Sequence, residues 1–229
     1  MDEDEPCAKL NNLTDVTKDN IVPTVDLLKG TLFQSGENGA IFNRTMDAVG
    51  TTTYTSSQLP YSSGDAIQIP FTPNVTFTGI HTHPSKGYPM FSWNDIMSLY
   101  IIALRTSAVN QKELSLMVVV RADYTWEEQV YAIKIADINA LKRKIFEQLN
   151  QPKYNGWTLA AKYDDLDGVE LLDKYATCQS NYEKAFLDFF DGGGLGLYKA
   201  DPDLSNWNLV VKSSNILLAP NGVKHIPCL

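Results

Sequence analysis

Two of the three histidines in this chain stand two residues apart, in Gly79-Ile80-His81-Thr82-His83-Pro84, and Ser92-Trp93-Asn94-Asp95 follows shortly after. Two imidazoles and one carboxylate that leave a position open for water make up the ligand set of a catalytic zinc site. Such a set works only if local structure brings the ligands to one point. Residues 74–80 are rich in β-branched and aromatic types and read as a strand. Alternate residues of a strand face the same side, so His81 and His83 can address one centre. Pro84 has no N–H to give and ends the pairing. Ser92 is a good N-cap, and Asp95 three positions later forms a capping-box-like arrangement. A helix is therefore expected over 92–106, with Ile96, Leu99, Ile102 and Ala103 as its apolar stripe and Asp95 on its first turn. His81, His83 and Asp95 are the candidate metal ligands, and zinc is the expected cofactor.

With Glu37 upstream, this pattern resembles the JAMM (also MPN+ or JAB) zinc metallopeptidases, whose signature is a glutamate, then HxHP, then SxxD. The resemblance spans roughly residues 8–150. It implies an α/β (α+β) fold, a mixed sheet flanked by helices in a JAMM/MPN-like, cytidine-deaminase-like sandwich. It also implies that His81, His83 and Asp95 bind zinc, that Glu37 acts as general base and acid on the attacking water, and that Ser92 helps hold the oxyanion. The implied reaction is hydrolysis of a peptide or isopeptide bond in a peptide or protein substrate, in a protein of bacterial origin. The chain departs from the family pattern in two places. The interval from His83 to Ser92 is one residue longer than usual. Glu37 lies in Glu-Asn-Gly, a loose match to the usual glutamate-bearing strand, although it is the sole glutamate between Glu5 and the histidine pair. The alternative reading is a catalytically inactive JAMM-like scaffold or protein-binding module.

The chemistry of each part supports the comparison. Zinc lowers the pKa of its water to about 7. A carboxylate within hydrogen-bond reach can move the proton, and a hydroxyl aimed at the developing oxyanion lowers the barrier further. Other constellations are poorer. A phosphoesterase of the PHP type needs several more histidines, and only His225 remains. Asp165-Leu166-Asp167-Gly168 lacks the outer ligands of a calcium loop and reads as a charged helix start. The glycine run at 192–194 has no Lys-Ser/Thr and reads as a turn.

The net charge of −8 and pI near 4.8 argue against nucleic-acid binding and against docking on anionic membranes. No apolar run is long enough for a membrane span. The acidic first residues contain no hydrophobic signal region. Cys7, Cys178 and Cys228 show no CxxC spacing. They allow one disulfide and a free thiol, or three free thiols. A staple through the terminal cysteines would suit an extracytoplasmic protein whose leader has been removed, which we favour over a cytoplasmic one.

Elsewhere, residues 6–30 read as helix with a break or a new first turn at Pro23, and 31–42 as a strand entered through glycines. Residues 49–78 read as short strands and loops. Strands are expected over 115–120 and 128–135, joined by a turn at 123–125. A helix capped by Asp137 should run to about 150, with Ile138, Leu141, Ile145 and Leu149 on one side. The polar stretch 152–168 reads as a connection, dividing a JAMM-like domain (8–150) from a C-terminal extension (151–229) packed on it. That extension opens with one long helix whose inward residues are Leu171, Leu172, Tyr175, Cys178, Tyr182, Ala185, Phe186 and Phe189. Strands are expected over 196–199, 207–212 and 216–218, with a turn at Asn221-Gly222.

Overall fold

The structure is a computed structural model and describes residues 6–15, 21–46, 52–64, 66–84, 89–121, 127–178, 181–214, 219 and 221–228. Its centre is an eight-stranded mixed sheet. The strands are β1 (Gly39–Met46), β2 (Thr52–Gln58), β3 (Thr76–Thr82), β4 (Ser115–Arg121), β5 (Glu128–Ile135), β6 (Leu195–Ala200), β7 (Trp207–Lys212) and β8 (Val223–Pro227). They lie in the order β2-β1-β3-β4-β5-β6-β7-β8. Of these pairings, β3–β4 is parallel and the other six are antiparallel. A parallel neighbour needs a crossover, usually helical. Here the crossover carries α3 (Trp93–Arg105) and the short α4 (Ala108–Gln111), after α1 (Pro6–Thr14) and α2 (Val22–Lys29) near the start of the chain.

The central strands alternate between two cores. Leu116, Val118, Val120, Tyr131, Ile133 and Leu197 face one side, packed with α3, α5 (Ile138–Leu149) and the helices after residue 158. Met117, Val119, Val130, Ala132 and Tyr198 face the other, packed with Leu10, Ile21, Val25 and Leu28 of the N-terminal helical region. Because both faces are covered, β4 is almost wholly apolar. The sheet's outer strands are polar. β2 consists mainly of Thr and Ser, and β8 carries Lys224, His225 and Pro227, which discourages further strand pairing. Among the described residues, no helix is long and apolar enough to cross a membrane.

Pro23 sits in the first turn of α2, where its missing N–H costs nothing. The expected turn at 123–125 and strand at 216–218 lie outside the described residues. β8 lies beyond the expected strands and follows the turn at Asn221-Gly222.

Two expectations for the C-terminal segment need correction. Residues 152–168 are not an open connection. They form a 3-10 turn (Pro152–Tyr154), α6 (Leu159–Asp165) and the start of a π-helical stretch, Leu166–Leu171, with Tyr154 and Leu166 buried. Polar residues of this stretch are engaged in contacts, as when Asp165 accepts from the Tyr154 hydroxyl at 2.7 Å and from Lys153 Nζ at 2.6 Å. The expected long helix is also interrupted. It consists of the π-helical stretch, α7 (Leu172–Thr177) and, after a break, α8 (Tyr182–Phe189) capped by Asn181. A π turn holds more residues than an α turn and shifts the phase of the pattern. Leu172 is consequently 39% exposed instead of inward-facing. Beyond α8, Gly194 adopts φ +63°, and a Cβ there would lie 2.2 Å from the Asp137 carbonyl oxygen. This close turn brings β6 alongside β5, so the C-terminal segment continues the same sheet.

Candidate metal centre

The parallel crossover creates the site. β3 is buried along its whole length, and His81 is its penultimate residue. His83 lies one residue past the strand, but its amide still donates to the Val119 carbonyl at 3.1 Å, and the Thr82 amide donates to that of Asn38 at 2.8 Å. The backbone is thus held extended through His83, and the two rings emerge on one side. Their Nε2 atoms are 2.9 Å apart, at 2% and 3% residue exposure.

Asp95 reaches the pair from the first turn of α3. Its Oδ1 lies 3.1 Å from His81 Nε2 and its Oδ2 3.5 Å from His83 Nε2. Ser92 fixes this carboxylate through a complete capping box. Asp95 Oδ2 accepts from the Ser92 amide at 2.7 Å and from Ser92 Oγ at 2.9 Å, while Ser92 Oγ accepts from the Asp95 amide at 3.1 Å.

Glu37 arrives from the other side. It precedes β1 and forms a two-bond bridge with Ser62, each amide donating to the other's carbonyl at 3.0 Å. Glu37 Oε2 accepts from the Ile67 amide at 2.8 Å, and Oε1 lies 3.8 Å from His83 Nε2. Gly39, two residues on, pairs with His81. A Cβ on Gly39 would stand 2.8 Å from the Ile80 carbonyl oxygen, so its absence allows β1 to lie this close beside the histidine strand. The five residues singled out in the sequence, Glu37, His81, His83, Ser92 and Asp95, are brought together. His225 is elsewhere, 2.6 Å from Glu183.

Ligand atoms of Glu37, His81 and His83 all lie within 4.8 Å of one another, and this buried group could hold a metal ion. The electrostatics fit such a use. Burial disfavours the charged form of His81, but the Asp95 and Glu37 carboxylates and the Met117 backbone outweigh it and raise its pKa. Burial likewise pushes Asp95 up, but His81, His83 and the Ser92 backbone outweigh it, and its pKa falls well below the usual range. Two carboxylates and two facing imidazole nitrogens, all largely buried, call for positive charge, which either a shared proton or a cation supplies.

Three contributors had no local sequence signal. The Ile67 amide holds Glu37, the Tyr175 hydroxyl donates to the Phe91 carbonyl at 2.8 Å just before the cap, and Asp167 binds the start of α3. The last two lie in the segment beyond residue 150, where Asp167 reads in sequence as part of a charged helix start.

Comparison with protein-family models, curated proteins and solved structures yields no match.

Proposed function

We propose that this chain is a zinc-dependent peptidase or isopeptidase of JAMM type, its sheet and helices forming a JAMM-like sandwich. The observation that carries the reading is the convergence of the His81 and His83 Nε2 atoms, 2.9 Å apart, with the carboxylates of Asp95 and Glu37 against them. Two imidazole nitrogens with carboxylate oxygen suit zinc. His81, His83 and Asp95 would hold the ion, which when bound supplies electrophilic activation of water and of the scissile carbonyl.

The chain's own groups carry the rest of the reaction. Glu37 keeps Oε2 on the Ile67 amide, which leaves Oε1, on the His83 side, to take a proton from the attacking water and return it to the leaving amine. Ser92 Oγ donates to Asp95 in the structure, and turning that proton to the developing oxyanion stabilises the transition state. Water attacks directly, without an acyl-enzyme. We further propose an oxidising, extracytoplasmic location, supported by the Cys7–Cys228 disulfide.

Elemental analysis of the purified protein and a screen of peptide and isopeptide substrates, with and without chelator, test the proposal. Zinc near one equivalent and chelator-sensitive cleavage are expected. Glu37→Gln should keep the metal and lose turnover by at least about 100-fold. Retained turnover would show that Glu37 is not the base. Bound zinc with no cleavage by the unaltered protein would leave the scaffold reading standing.

A further inference from the structure

The start of α3 has four amides with no backbone partner within the helix, and all four are satisfied by two carboxylates and one hydroxyl. The Ser92 amide goes to Asp95 Oδ2 and the Asp95 amide to Ser92 Oγ. The remaining two go to a residue far along the chain. Asp167 Oδ1 accepts from the Trp93 amide at 2.7 Å and from the Asn94 amide at 3.2 Å. Its Oδ2 accepts from Asn94 Nδ2 at 2.9 Å. A carboxylate here also opposes the positive end of the helix dipole.

We infer that Asp167 is a positioning residue for the metal-binding carboxylate, acting through the Trp93 and Asn94 amides to hold Asp95 against the two imidazoles. The inference rests on the zinc-site reading. Asp167 sits in the π-helical stretch Leu166–Leu171, a local widening often found at functional sites. The segment around it grips the same turn from two other sides. Tyr175 Oη donates to the Phe91 carbonyl, and the Trp93 ring stacks on Phe190 and meets Phe189 and Tyr163 edge-on. The capping box fixes how Asp95 and Ser92 sit relative to each other. Asp167 and these contacts fix where that box sits relative to β3. The C-terminal segment is thereby part of the metal centre, although it supplies none of the proposed ligands.

The test uses the full chain and measures zinc affinity by competition with a chromophoric chelator, and ligand geometry from the visible bands of the cobalt-substituted protein. Asp167→Ala should weaken zinc binding roughly 10- to 100-fold, the usual range for partners that orient metal ligands, and should shift the cobalt bands. Asp167→Asn can still accept from both backbone amides and should stay within about threefold of the unaltered protein. Thr158→Ala removes the cap of α6 and is the control for general loosening. It should lower Tm and leave zinc affinity and the cobalt spectrum unchanged. Unaltered zinc affinity in Asp167→Ala overturns the inference, as does an equal loss in Thr158→Ala. If Asp167→Ala does not fold, a tenfold or greater loss of affinity in Asp167→Asn overturns the claim that the two backbone amides carry the effect. If the unaltered protein binds neither zinc nor cobalt, the zinc-site reading itself fails and the inference falls with it.

Discussion

At the scale of single residues, the candidate site joins two local motifs to one carboxylate held by distant contacts. A histidine pair at strand spacing and a Ser-x-x-Asp cap each define their own geometry within four residues, and both form as their spacing requires. Glu37 was less legible. Its position depends on pairing with Ser62 and on the Ile67 amide, contacts that its neighbours in sequence do not encode. Ser92 has two roles that one substitution separates. As a cap it accepts from the Asp95 amide, and as a proposed oxyanion donor it holds a proton near the site. Ser92→Ala should cost about 1 kcal/mol in unfolding free energy, the usual value of a lost cap. It should also lower kcat roughly 100-fold with zinc retained, the usual cost of one oxyanion donor. Urea unfolding and steady-state kinetics on zinc-loaded protein read the two effects separately. A fall in kcat of less than about threefold would leave Ser92 a cap alone.

At the scale of elements, strands and helices with a clear period lie where the residues indicate: α3, α5, β4 and β5 all match the expected spans to within about two residues. The departures in the segment after α5 share a cause. The region 152–178 folds by contacts with α3 and α5, and its π-helical turn follows no 3.6-residue period. Its aspartates look like solvated charge until their partners, up to 74 residues away, are known. β8 gives a weak signal for a different reason: an edge strand with Lys, His and Pro lacks the alternation of a half-buried one. Strand spacing also supports the site. Gly39 permits the approach of β1 to β3 beside His81. In Gly39→Ala the new Cβ meets the Ile80 carbonyl, a backbone atom that cannot rotate away. We expect a loss of about 1–3 kcal/mol in urea unfolding, together with weaker zinc binding, because β3 carries the proposed ligand His81 directly opposite Gly39. A stability loss with no change in zinc affinity would show that the site tolerates a shift of β1.

At the scale of the molecule, the chain is closed on itself at several points. The Cys7–Cys228 disulfide links residues 221 apart, and Asn11 Nδ2 donates to the Cys228 carbonyl beside it at 2.8 Å. On the other face, Glu183 of α8 gathers β5, β6 and β8. It accepts from Tyr131 Oη at 2.9 Å and from Lys199 Nζ at 3.0 Å, and it lies 2.6 Å from His225 Nε2. Burial pushes Glu183 up, but His225 and Lys199 outweigh it, and its pKa falls from 4.5 to about 2. A carboxylate whose folded pKa is depressed stabilises the fold above its unfolded pKa, and that contribution is lost as the pH falls through the folded value. For Glu183 the window runs from about 4.5 down to about 2, and the contribution at neutral pH is roughly 3 kcal/mol. Glu183→Gln cannot titrate. The difference in unfolding free energy between the unaltered protein and Glu183→Gln should therefore be largest at neutral pH and shrink steadily below pH about 4.5. Urea titrations at a series of pH values measure it directly. A difference that stays constant from pH 7 to pH 3 would mean that Glu183 joins these elements by packing and hydrogen bonding alone, with no net contribution from its charge.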